Sequence, residues 1–257
     1  DMNRGQLKML SAAKVDSYIQ KYLRESPASL SRLGTTLRRF FRYCATKDLM
    51  SADFSTLIPP VRRYRYASLP KGLEDSALDK VISSLDRNTP IGARDYAIMV
   101  LLMAYGIRGV SAAELVLNDI DWQQSRIRIR AQKGGKEVIL PLLDGVGEAI
   151  VAYLRHRVSN SSHREVFLRI RAPFRPLDSV AISAISRRHL IRAGVHIAGA
   201  GTRTFRHSWA IRALAHDSPI KAIADVLGHR YIDTTYIYAK ADLKTLRDVA
   251  MPWPERK

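Results

Sequence analysis

Apolar positions recur at helical spacing along most of the chain, and one stretch alternates with a period of two. In residues 11–24, Val15, Tyr18, Ile19, Tyr22 and Leu23 share one helical face, with Ser11 placed to cap it. From Ser29 to about Asp48, Leu30, Leu33, Leu37, Phe40, Phe41 and Cys44 form an apolar stripe, while Arg32, Arg38, Arg39, Arg42 and Lys47 fall largely elsewhere around the helix. Residues 59–70, PPVRRYRYASLP, show neither period, are bracketed by prolines and read as an interdomain linker.

Beyond the linker, helices are expected over 74–85 with Leu78, Val81, Ile82 and Leu85 inward, over 92–105, over 144–157, and over 178–192 with Ile182, Ile185, Leu190 and Ile191 inward. The second of these, ARDYAIMVLLMAY, is apolar almost all round, as a buried spine would be. Residues 125–141 alternate Ile127 and Ile129 with Arg126, Arg128 and Arg130, turn at Gly134-Gly135 and return through Val138, Ile139 and Leu140, the pattern of a β-hairpin. A short strand is expected at 165–168, and Ser111 with Glu114 reads as a capping box for the helix that follows. The fold expected is mainly α with a small antiparallel β-sheet, in two domains.

Composition narrows the partners. The 257 residues are 46% apolar, ample for a packed core, and carry 42 Lys and Arg against 24 Asp and Glu, a net +18. Such a charge points to a polyanion, either nucleic acid or an anionic membrane surface. No apolar run approaches the roughly 18–20 residues of a membrane span, so insertion is not expected. The opening DMNRGQLK has no secretory pattern, and the single Cys44 permits no internal disulfide and argues against structural zinc, which fits a reducing cytosolic compartment. Residues 1–66 hold 13 basic and 5 acidic side chains and residues 67–257 hold 29 and 19, so both parts are basic.

The candidate chemistry lies mainly in residues 201–240, GTRTFRHSWAIRALAHDSPIKAIADVLGHRYIDTTYIYAK. Arg203 and Arg206 open an amphipathic segment, Leu-Gly-His ends at His229, and Tyr238 follows nine residues later. Arg108 leaves the buried spine in Gly106-Ile107-Arg108, where a guanidinium needs an anion or an exit to solvent.

This arrangement resembles the active-site boxes of the tyrosine recombinases, the phage-integrase family: an arginine in a Gly-Leu-Arg turn, a lysine in a hairpin turn, His-x-x-Arg, Leu-Gly-His, and a tyrosine nine residues on. Lys133 lies at the hairpin tip with Lys136 as the second lysine. Two positions depart, since Arg203 stands where the family has histidine and Ser111 where many relatives have glutamate.

The resemblance implies a helical core-binding domain (1–58), a linker (59–70), a catalytic domain (71–240) and a tail (241–257) that passes to a neighbouring protomer. The helical part is about one helix short for the family, so the natural protein is expected to begin upstream of Asp1. It further implies a bacterial, cytoplasmic, nucleoid-associated recombinase of a mobile element, acting on double-stranded DNA with inverted-repeat half-sites, as a dimer on one site and a tetramer in the synapse, with no cofactor and no metal. Arg38, Arg39 and Arg42 on the second helix, Arg62, Arg63 and Arg65 in the linker, and Lys136 are the DNA-contact candidates.

Strand transfer at a phosphodiester needs an in-line nucleophile, donors on the non-bridging oxygens and a proton for the leaving 5′-oxygen. Arg108 and Arg206 suit the oxygens as permanently charged planar forks. Lys133 suits the acid, since an ammonium yields its proton more readily than a guanidinium. Tyr238 suits the nucleophile, forming a 3′-phosphotyrosyl link. By resemblance His229 donates to the phosphate. Arg203, which can only donate, either adds a third positive contact or leaves the site slower or inactive. Tyr236 is the rival phenol, Tyr231 is read as packing and His207 as structural. Two alternatives are a weak or inactive DNA-binding accessory protein of the same fold and a type IB topoisomerase-like monomer.

Overall fold

The computed structural model describes residues 7–22, 27–60, 72–131, 136–158, 161–197 and 199–239. Lys133, Arg62, Arg63, Arg65 and the tail 241–257 lie outside the described residues, as does most of the expected linker. Contacts divide the chain into Asp1–Ser68 and Leu69–Lys257.

In the smaller unit, α1 (Ala12–Tyr22) and α2 (Pro27–Thr46) are followed by a 3-10 turn at Phe54–Leu57. Asp53 caps that turn by accepting from the Ser55 amide at 2.8 Å. Val15, Phe41, Cys44, Met50, Phe54 and Ile58 form the core, with Phe41 and Phe54 edge to face at 6.1 Å between ring centroids. Tyr18 and Phe40, expected on the apolar faces, are instead exposed. The buried stripe is narrower than the sequence pattern, because Phe40 precedes Phe41 by one residue and is turned about 100° from it.

The larger unit is built around α4 (Pro90–Tyr105), preceded by α3 (Asp75–Ser83). Thr89 accepts from the Gly92 amide at 3.1 Å, Pro90 occupies the first turn, and Gly106, at φ 59°, ends the helix. α4 packs against α6 (Asp144–Leu154) and α8 (Thr202–Ala215), while the short α5 (Gly109–Ala113) packs against α7 (Ser179–Arg192). The sheet has the order β1 (Ile120–Asp121), β2 (Arg126–Ile129), β3 (Val138–Pro141), all antiparallel, with Ile127 opposite Leu140 and Arg128 opposite Ile139. Ile127 and Ile129 face the core and the arginines face out, as the alternation requires.

Four details differ from expectation. β1 adds a third strand. Residues 165–168 contribute isolated bridges, Val116 to Glu165 and Leu168 to Pro176, rather than a sheet strand. Ile191 is exposed, because its neighbour Leu190 takes the inward position. Ser111 and Glu114 do not begin a helix: α5 starts directly after Arg108, so Ser111 lies inside it and Glu114 at its C-terminal end.

A buried ionic node was not evident from the sequence. The Asp95 carboxylate on α4 is fully enclosed and accepts from Arg94 Nη2 at 2.7 Å, Arg188 Nη2 at 2.8 Å and His189 Nε2 at 2.9 Å, tying α4 to α7. Burial alone would raise the Asp95 pKa, but the His189 hydrogen bond and the Arg94 charge outweigh it and hold it below the ordinary value. Among the described residues no helix is long and apolar enough to cross a membrane.

Candidate active site

Two left-handed glycine turns carry the site. Gly106 ends α4 and delivers Arg108, the N-cap residue of α5; a Cβ on Gly106 would lie 2.9 Å from Trp209 Cβ. Gly228, at φ 61°, follows α9 (Ile220–Val226) and delivers His229. Between them runs α8, on which Arg203, Arg206 and His207 lie within one turn of each other. A 3-10 turn at Ile232–Thr234 leads into α10 (Tyr236–Ala239), which holds Tyr238.

Arg206, 8% exposed, bridges the two turns. Its Nη1 donates to the Gly106 carbonyl at 2.9 Å, and its Nη2 donates to the Leu227 carbonyl at 2.8 Å and to His229 Nε2 at 2.7 Å. The carbonyl oxygens and the imidazole carry no countercharge, and the Tyr238 hydroxyl is a further hydrogen-bond partner of the guanidinium. Burial, then the Arg108 charge, brings the Arg206 pKa down to about 10.

Because His229 Nε2 accepts from a guanidinium, its proton sits on Nδ1 and is donated to Thr235 Oγ1 at 2.7 Å. Burial and the Arg206 and Arg108 charges lower the His229 pKa to about 4, so the ring is neutral at pH 7. Both of its nitrogens are engaged within the protein. The Nε2 that the resemblance would aim at a phosphate is bonded to Arg206.

Tyr238 is 2% exposed, its ring packed among Ala210, Ile223 and Leu227, and its hydroxyl lies 3.0 Å from His207 Nδ1. Burial raises the Tyr238 pKa, and the Arg206 and Arg108 charges draw it partly back. His207 is also pushed down to about 4, by burial and by the charges of Arg203 and Arg206. Tyr236 is exposed, as expected for a phenol two residues from a buried one. Tyr231 does not pack in the core: it is 63% exposed, with the Arg230 guanidinium 5.3 Å above its ring.

Arg108, Arg203, Arg206, His207, His229 and Tyr238 all line one cleft of about 610 Å³. No carboxylate is among the described residues that line it, so three guanidiniums converge on a space suited to an oxyanion. Lys136 and Arg130 border a smaller recess that shares Arg108 and Arg206. Five of the six expected site residues are thus gathered in one place, and the sixth, Lys133, lies outside the described residues.

Of the DNA-contact candidates in the smaller unit, Arg39 and Arg42 are exposed. Arg38 is half-buried, and its Nη1 donates to the Ile58 and Pro59 carbonyls at 3.1 and 3.2 Å, which fastens α2 to the chain that follows the 3-10 turn. Sequence reasoning did not single out Thr235 and did not place His207 against Tyr238. The signal for His207 was its i+4 relation to Arg203, which puts both on one helix face.

Residues 72–244 match the phage integrase family. The chain is 38% identical over 250 residues to "Putative integrase/recombinase y4rA" of Sinorhizobium fredii (strain NBRC 101917 / NGR234), an alignment covering 96% of this chain and 61% of that protein. It is 32% identical over 234 residues to tyrosine recombinase XerD of Xanthomonas campestris pv. campestris, covering 87% of this chain and 72% of the relative. The crystal structure of the XerH site-specific recombinase, a post-cleavage complex with a palindromic difH substrate, shares the fold at a TM-score of 0.74 and 18% identity, covering 94% of this chain and 72% of that one. A family match over most of the chain and a buried tyrosine beside convergent arginines lead to one conclusion: the chain belongs to the phage integrase family, the tyrosine recombinases.

Proposed function

We propose that the chain is a site-specific DNA recombinase of a mobile genetic element, cutting and rejoining strands through a 3′-phosphotyrosyl intermediate. One observation carries the reading: the Tyr238 hydroxyl borders a cleft in which Arg108, Arg203 and Arg206 converge without a lining carboxylate. Arg108 and Arg206 hold the non-bridging oxygens of the scissile phosphate and stabilise the charge that builds on them. Tyr238 attacks phosphorus, and the departing 5′-oxygen takes a proton from Lys133. The phosphotyrosyl link conserves the energy of the broken bond, so a 5′-hydroxyl from another strand reverses the step without ATP. Arg203 adds a third positive contact.

His229 acts here by positioning Arg206, to which it is bonded at 2.7 Å. Residues 1–58 form a core-binding domain that contacts backbone phosphates through Arg39 and Arg42, 59–70 are the linker that tracks DNA with Arg62, Arg63 and Arg65, and 71–240 are the catalytic domain, where Lys136 adds a phosphate contact. Two protomers bind inverted half-sites of double-stranded DNA, four form the synapse, and residues 241–257 pass between neighbours. The enzyme works at the bacterial nucleoid.

The test is incubation with nicked duplexes cut from the flanks of the gene's own genetic element. A denaturation-resistant protein–DNA adduct is expected from the unmodified chain and none from Tyr238→Phe. Joined products between two duplexes are expected as well. An adduct without joining would point to a topoisomerase-like monomer, and no adduct to a DNA-binding accessory protein.

A further inference from the structure

We propose that His207 is the group that takes the phenolic proton from Tyr238 during strand cleavage, the task that Arg203 cannot perform. The inference rests on the recombinase reading and goes beyond it by adding a catalytic residue that neither the family pattern nor the sequence reading assigned.

The Tyr238 oxygen–phosphorus bond forms, the phosphorus–5′-oxygen bond breaks, the leaving oxygen gains a proton, and the phenolic proton must go to an acceptor. Three of the groups around the phenol are the guanidiniums of Arg203 and Arg206 on α8 and of Arg108 at the start of α5, and none of them has a lone pair to offer. His229 is engaged at both nitrogens, accepting from Arg206 and donating to Thr235. His207 remains. Its Nδ1 lies 3.0 Å from the Tyr238 hydroxyl, within the reach of a general base, and the two rings meet at 5.5 Å between centroids with a tilt of 59°.

The placement is built into the fold. His207 sits on α8, a 14-residue helix, four residues after Arg203, so its ring is carried by the same rigid turn as Arg206. With the proton on Nε2, Nδ1 presents its lone pair to the phenol. The free protein keeps His207 neutral through burial and the Arg203 and Arg206 charges. A phosphodiester entering the cleft brings a negative charge to those arginines and offsets their repulsion, which makes the imidazole a stronger base when substrate is present. The imidazolium formed on cleavage then returns its proton to the phenolate oxygen when a 5′-hydroxyl, giving its own proton back to Lys133, displaces Tyr238.

His207→Phe and His207→Asn test this in single-turnover adduct formation on nicked duplex across pH 6–9, alongside DNA affinity and thermal melting. His207→Asn keeps an oxygen acceptor near the Nδ1 position but cannot hold a proton. Adduct formation is expected to fall about 100-fold or more in both variants with DNA affinity little changed. The unmodified rate is expected to level off with pH, while the variant rates climb through pH 9 as phenolate forms in solution. Should His207→Phe fail to fold, the rate and pH profile of His207→Asn carry the test. Unmodified rates in either variant, or a pH profile shared with the unmodified chain, overturn the assignment while leaving the recombinase reading intact. Absence of any Tyr238-dependent adduct from the unmodified chain overturns both.

Discussion

Acid should loosen the site before it reaches the rest of the fold, and His229→Gln isolates the effect. His229 is 8% exposed, and its pKa is lowered from 6.5 to about 4 by burial and the neighbouring arginines. A histidine whose pKa is lower in the folded chain contributes stability that is complete above about 6.5 and is lost as pH falls toward about 4, because the unfolded chain binds the proton more tightly. From pH 7 to pH 5 that amounts to about 2 kcal/mol, at about 1.4 kcal/mol per pH unit. Glutamine removes the titration while its amide oxygen can still accept from Arg206. Asp95, also held below its ordinary value of 3.8, acts only at lower pH, and His207, lowered to about 4 as well, titrates in this window in both proteins, so the difference between them reports His229. Trp122, Trp209 and Trp253 all belong to Leu69–Lys257, so urea unfolding followed by tryptophan fluorescence reports on this unit alone. The unmodified chain should lose about 2 kcal/mol more than His229→Gln between pH 7 and 5. Equal losses would refute the buried, neutral His229 and, with it, the account of how Arg206 is held.

Asp95→Asn should cost about 3–5 kcal/mol in the same unfolding assay, because it leaves the buried Arg94 guanidinium without its counter-charge. Gly106→Ala should lower the melting temperature through a left-handed backbone worth about 1–2 kcal/mol and a Cβ placed 2.9 Å from Trp209, and should reduce adduct formation by displacing a carbonyl that holds Arg206. Tyr236→Phe should form adduct at the unmodified rate, since that phenol is exposed and is not among the residues lining the cleft.

The features legible in the sequence were those with a local period. The Ile127/Ile129 alternation marked the hairpin, and the unbroken apolar run of 92–105 marked α4 as the spine, because each records burial within a few residues. Phe40, Tyr18 and Ile191 were misjudged because periodicity gives the direction of a stripe better than its width. The Asp95 node joins side chains 93 and 94 residues apart and leaves no local trace. The site divides in the same way. Arg108, Arg203, Arg206, His229 and Tyr238 were recognisable from family spacing, but the anchoring of Arg206 by the Gly106 and Leu227 carbonyls and the facing of His207 to Tyr238 are tertiary, set by how α8, α9 and α10 meet.

Mapping the covalent bond is the most direct test of the central claim. Adduct formed on nicked duplex, trimmed with nuclease and digested with trypsin, should yield the peptide YIDTTYIYAK, residues 231–240, carrying a nucleotide phosphate. Fragmentation separates its three tyrosines. The phosphate is expected on Tyr238; its appearance on Tyr236 or Tyr231, or an adduct that survives Tyr238→Phe, would contradict the assignment of the nucleophile.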